Sequence, residues 1–110
     1  MLVDGTVVAS GWTQLTSGTL SHAIDKTELG GVPPVTSGIC GTGGAYGPSV
    51  FTGTDQNGNR ILGEDCKSWA SASGGEQLTV GDAKATGTNW TRRCSKTGCD
   101  ALAALYCLQQ

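Results

Sequence analysis

The stretch SVFTGTDQNGNRILGEDCKSW, Ser49 to Trp69, runs from an aliphatic–aromatic entry through a polar turn to an aliphatic pair, then to a cysteine near a tryptophan. Val50 to Thr54 reads as a strand and Asn59 to Leu62 as its partner. Asn57-Gly58 lies between them and is the strongest short-range hairpin signal, because a type I′ turn needs positive φ at both central residues. The same loop carries a calcium-like alternation, with Asp55, Asn57 and Asn59 in a D-x-N-x-N pattern. Its sixth position is Arg60, where a calcium loop needs Gly, and its twelfth is Cys66, where the loop needs Glu. A hairpin turn accounts for these residues without a metal, so neither a metal site nor a cofactor is expected. Cys66 to Ala70 is compact and reads as helical.

Outward from this stretch, composition bounds the rest. At 110 residues the chain holds one domain. A net charge of −2 leaves no nucleic-acid footprint and no polybasic membrane patch. No apolar run approaches the ~18 residues a membrane helix needs. The opening MLVDGTVVAS lacks a basic region followed by an apolar one, so no signal peptide is expected in it. Leu, Ile, Val and Phe together make 20 of the 110 residues, a thin supply for a core. Five cysteines offset that shortage if they form disulfides, which places the chain in an oxidising compartment. Five is odd, so one thiol stays free or pairs between chains. Zinc sites place ligands in close C-x2–4-C pairs. Cys94 and Cys99 have that spacing but lack a second close pair or a neighbouring His. Eighteen glycines with frequent Ser and Thr favour short strands and long ordered loops over a helical bundle.

Elsewhere the elements are short. In SGWTQLTSG, Trp12 and Leu15 stand three apart, with Ser10 as N-cap and Gly18 as stop, which reads as one helical turn. Leu20 and Ile24 are inward candidates in TLSHAIDKTELGG. GGVPPVTSGICGTGGAYGPS is loop-like, broken by Gly30, Gly31, Pro33, Pro34, Gly43 and Gly44. Ser71 to Cys99 reads as a long loop region with one short strand at Gln77 to Val80; a loop of this length in a compact domain is normally functional or tied down. ALAALYCLQQ is ambiguous: Ala and Leu prefer helix, whereas a terminal apolar run also fits a buried strand.

These residues resemble a known family. Ser49, Val50, Gly53, Asp55, Asn57, Gly58, Arg60, Cys66 and Trp69, followed by Cys99 and Cys107 in C-x7-C spacing, look like the C-terminal half of the endostatin domain of collagens and of its bacterial secreted and surface relatives. Trp12, Leu15, Ser17 and Gly18 align plausibly upstream, so the resemblance spans nearly the whole chain. It implies an α+β, strand- and loop-rich, disulfide-stapled fold of C-type-lectin-like class, with the N-terminal half lacking and residues 1–110 as one partial domain. It implies a strand for the last segment, against propensity. It also implies a Cys66–Cys99 bridge, whose loop of about 34 residues would contribute roughly 3–4 kcal/mol in the chain-entropy model. Cys107 matches a cysteine whose partner lies in the absent half, which makes it the odd thiol. Cys40 and Cys94 have no family counterpart and are candidates to pair with each other. A half-domain leaves apolar surface uncovered, which favours a homodimer.

The chemistry is sparse. The calcium-dependent sugar motifs of C-type lectins (E-P-N or Q-P-D with W-N-D) do not occur. The zinc and heparin binding of the family's mammalian members does not carry over to a chain with one His and more acidic than basic residues. His22, near Asp25 and Glu28, reads as a half-buried structural histidine. Cys107 sits in an apolar run, which would bury the thiol and raise its pKa, so a Cys–His enzyme is disfavoured. Asn89-Trp90-Thr91 is a formal glycosylation sequon. Trp12 and Trp69 read as core or loop anchors, with Trp69 against a disulfide. Trp90, in a Gly/Thr-rich loop beside the basic spot Arg92-Arg93, is the tryptophan expected to face solvent and the leading ligand contact. The sequence thus points to a non-enzymatic, extracellular, cell-surface or periplasmic binding or adhesion module for an extracellular protein or glycan, with its surface in the Ser71 to Thr97 loop region, self-assembly as the alternative and nothing pointing to nucleic acid or membrane insertion.

Overall fold

A computed structural model of the chain describes residues 1–35 and 48–107, without the side chains of Ser95 and Lys96. The expectations for Cys40, Gly43 and Gly44 lie outside these residues. The elements are α1 (Trp12–Leu15), β1 (Ser49–Phe51), a helical turn at Cys66–Trp69, β2 (Gln77–Asp82), a 3₁₀ turn at Thr88–Trp90, β3 (Cys94–Gly98) and β4 (Ala104–Leu105). This is an α+β arrangement with one mixed four-stranded sheet in the order β3-β2-β1-β4. No helix among the described residues is long and apolar enough to cross a membrane.

β2 is the organising strand. Leu78, Thr79 and Val80 are almost fully buried, which β-branched and aliphatic side chains on a two-sided strand require. β1 pairs antiparallel to it, with Val50 opposite Gly81 and Phe51 opposite Val80. β3 pairs on the other side, with an irregularity between Leu78 and Val80. β4 runs parallel to β1, Leu105 lying opposite Phe51. The strand expected at the C-terminus is therefore present, shortened to two residues. The strand expected at Gln77–Val80 extends to Asp82, and β3 arises inside what reads from sequence as loop.

Gly81 explains a second layer. A methyl group there would run into the backbone carbonyl of Trp90, so the 3₁₀ turn docks directly on the strand only because position 81 has no side chain. The Arg93 N–H donates to the Val80 carbonyl at 2.8 Å, and its guanidinium meets the Asp82 carboxylate at 2.9 Å, fastening the same loop. The docked loop delivers the Trp90 indole into a cluster with Leu2, Val8 and Leu20, against which Leu15, Ile24 and Tyr106 pack. Leu20 and Ile24 thus point inward as the sequence suggests.

The hairpin at Asp55–Asn59 is tighter than expected. The Asp55 carboxylate accepts the N–H groups of Asn57 and Asn59, each at 2.9 Å, and the Gly58 N–H reaches the Asp55 carbonyl at 3.1 Å. Gly58 has φ +78° while Asn57 does not enter the positive-φ region, so the turn is not type I′. Its flanks pair only through the bridge Thr54–Arg60, so the Asn59–Leu62 strand does not form. The Asp55 side chain satisfies the turn's own donors, which is the physical content of the D-x-N-x-N pattern here. α1 likewise begins without a side-chain cap: Gly11, not Ser10, holds the N-cap position.

Replacing Gly81 by Ala should force the Trp90 loop off β2. Overpacking typically costs about 1–3 kcal/mol. Urea unfolding of Gly81→Ala, read by tryptophan fluorescence, should show that loss; an unchanged midpoint would contradict the docking.

Candidate functional site

Among the described residues lies an open groove of about 270 Å³. Trp12 and Leu15 of α1, Phe51 of β1, Trp69 at the end of the helical turn, and Leu105 and Tyr106 of the C-terminal segment line it. Trp90 and Thr91 lie beneath, with Thr52 and Thr54 beside them. No imidazole, thiol, carboxylate or basic group is among these lining residues.

Each wall has a local cause. Trp12 lies over the turn at Gly58, where an added methyl would sit 3.2 Å from the indole and 2.9 Å from Thr16. Trp69 lies over Gly53 in the same way, 3.4 Å from where a methyl would sit. Both rings are exposed, Trp12 at 67% and Trp69 at 53%. They are the outward-facing indoles, and Trp90, at 7%, is the buried one, which reverses the expectation from sequence. The cause is the thin core: a chain with few large apolar residues recruits an indole from a polar loop once Gly81 allows that loop to dock.

The floor is a closed polar network. The Thr52 hydroxyl donates to the Thr91 carbonyl at 2.5 Å, the Thr54 and Thr91 hydroxyls share a bond of 2.8 Å, and Thr91 reaches the Thr54 carbonyl at 3.2 Å. Tyr106 donates its hydroxyl to the Trp90 carbonyl at 2.9 Å, and the two rings meet at 5.6 Å, tilted by 49°. Burial, and secondarily the Asp82 charge, hold that hydroxyl protonated far above the usual tyrosine range. The Trp90 Nε1 is buried and has no hydrogen-bond partner among the described residues.

The turn carrying Trp69 is unusual. Cys66, Lys67, Ser68 and Trp69 have φ of 52°, 54°, 60° and 65°, so the helical turn expected here is left-handed. A residue with a side chain pays roughly 1–2 kcal/mol in that region, so the turn exists only because its surroundings hold it. The disulfide Cys66–Cys99 joins its first residue to the residue following β3. Arg60 pairs with the buried Asp65 carboxylate and donates to the Ser68 hydroxyl at 2.6 Å. The Trp69 N–H reaches the Asp65 carbonyl at 2.8 Å and the Ala70 N–H the Cys66 carbonyl at 3.0 Å.

The other sequence candidates fall elsewhere. Arg92 is exposed and does not line the groove. Arg93 is engaged with Asp82. Cys94 is disulfide-bonded, its expected partner Cys40 lying outside the described residues. Cys107 is free and exposed, correcting the expectation of burial: β4 is an edge strand of two residues and covers little. His22 is half-buried, its Nδ1 donating to the Ala23 carbonyl at 2.8 Å. The chain matches no protein-family model, no curated protein and no solved structure.

Arg60 beside Asp65 holds that carboxyl below the usual carboxylate range, outweighing the opposing effect of burial, with the Ser68 N–H adding to the effect. The folded state therefore binds its proton less readily than the unfolded chain. That stability is complete above the unfolded carboxylate value of about 4 and is lost as pH falls through the lower folded value. Acid titration followed by Trp69 fluorescence should show the turn loosening below that range, and Asp65→Asn should remove this part of the pH dependence. Lys67→Gly should raise the urea midpoint despite losing the exposed Lys67–Glu76 pair, because glycine adopts positive φ freely; a lowered midpoint would contradict a left-handed turn.

Proposed function

We propose that the chain is a non-enzymatic, extracytoplasmic binding module of the endostatin-like, C-type-lectin-like class, and that its binding face is the groove between Trp12 and Trp69. The observation that carries this reading is the pair of exposed indoles flanking an uncharged concavity. Exposed aromatic walls offer flat apolar area at little side-chain entropy cost, and a self-satisfied threonine floor tolerates an uncharged ligand face. The ligand is an extracellular glycan or protein segment that presents such a face. The Cys66–Cys99 bond supports an oxidising compartment, and its position supports the family resemblance.

Self-assembly is the second reading. Leu102 is 82% and Leu105 63% exposed around the β4 edge, and the free Cys107 lies two residues beyond it. An open strand edge with apolar neighbours is a template for pairing with a second copy. Native mass with and without reductant, for the wild type and Cys107→Ser, separates the two readings. A monomer under every condition removes assembly.

For binding, purified protein is presented to arrays of neutral glycans and of extracellular-matrix proteins. Trp12→Ala and Trp69→Ala should each weaken capture about tenfold, equivalent to ~1.4 kcal/mol, while Arg92→Ala should leave it unchanged. Loss with Arg92→Ala alone would move the site to the loop and overturn the groove reading.

A further inference from the structure

We propose that the Cys66–Cys99 disulfide is a redox-sensitive latch on the groove: it holds the left-handed turn that sets Trp69 as a wall, and its reduction lets the turn relax and moves Trp69 off the groove. The inference rests on reading the groove as the binding face. Two independent observations meet at this turn. Four consecutive residues that all carry side chains stand in the left-handed region, and the last of them lines the groove. Strain of this kind persists only where the surroundings over-determine it, and it gathers at ligand clamps and switches.

Besides the turn's own backbone hydrogen bonds and the exposed Lys67–Glu76 pair, one polar and one covalent restraint hold it. The polar restraint is non-covalent: the exposed Arg60 reaches the buried Asp65 carboxylate and the Ser68 hydroxyl. The covalent restraint acts on Cys66, where the turn begins, and anchors it to the residue following β3. Without that bond Cys66 is free to adopt the right-handed backbone that its side chain favours. Trp69 then loses the backbone direction that lays its ring over Gly53. Trp12 stands on α1 and Trp90 on the loop docked at Gly81, both outside the Cys66–Trp69 turn.

The chemistry is a thiol–disulfide exchange with a dithiol. Cys66 is buried and Cys99 partly exposed, which points to Cys99 as the sulfur that an incoming thiolate meets. A mixed disulfide forms there as the Cys66 thiolate leaves and takes up a proton. The dithiol's second thiolate then displaces Cys99, which is protonated in turn. Two electrons pass to the protein sulfurs, and the dithiol ends as its own disulfide.

The test is fluorine NMR of 5-fluorotryptophan-labelled protein, with the three resonances assigned through single Trp→Phe variants. Adding dithiothreitol should shift or broaden the Trp69 resonance and leave those of Trp12 and Trp90 in place. The Cys66→Ser, Cys99→Ser double variant should show the shifted Trp69 resonance without reductant and no further change on adding it, which separates this bond from the one at Cys94. An unmoved Trp69 overturns the latch. Collapse of all three resonances to unfolded positions also overturns it, because the bond would then hold the whole fold. The readout needs no ligand, so failure of the latch leaves the groove reading standing, and failure of capture by the arrays leaves the latch result intact.

Discussion

The groove side of this protein depends on one close approach, the backbone carbonyl of Trp90 over Gly81. That contact brings a polar loop onto the most buried strand of the sheet. It turns an indole inward to complete a cluster that Leu2, Val8 and Leu20 alone leave thin. It also fixes the carbonyl to which Tyr106 donates, and so the place where the C-terminal segment leaves β4. Sheet, small cluster and groove floor are thus one mechanical unit built around a missing side chain.

Much of the architecture was legible in the sequence, and its limits have physical causes. The short elements at Trp12–Leu15 and Gln77–Val80 and the inward turn of Leu20 follow from periodicity and from scarcity of apolar residues, whereas the strand near Ala104 was implied by the family resemblance alone, against propensity. The handedness at Cys66–Trp69 was not readable, because no residue there prefers positive φ; the conformation comes from the disulfide and from Arg60, and both are tertiary. β3 was missed for a related reason. Cys94 to Gly98 has little apolar periodicity and is a strand because β2 offers it partners.

The tryptophans show the same division most sharply. Trp90 sits among small and polar residues, a context that reads as exposed. A signal was present nonetheless: a chain with so few large apolar residues has reason to recruit every indole it can reach. Trp12 and Trp69 sit in contexts that read as anchors, yet they rest on Gly58 and Gly53, which offer a flat surface and no side chain to enclose a ring. The groove was therefore not visible as a motif. It arises from Gly58 in the hairpin turn, Gly53 on its flank and two indoles from distant segments.

The two edges of the sheet are restrained differently. β3 lies between a disulfide-bonded Cys94 and the Cys66–Cys99 bridge, whereas β4 is held by two residues of parallel pairing and by the ring and hydroxyl of Tyr106 against Trp90. Tension applied to the chain beyond Cys107 would load these weak attachments first, unzip the segment and uncover Trp90. The pull would then pass covalently from Cys99 to Cys66, which keeps β2 and β3, both inside that loop, out of the path of the load.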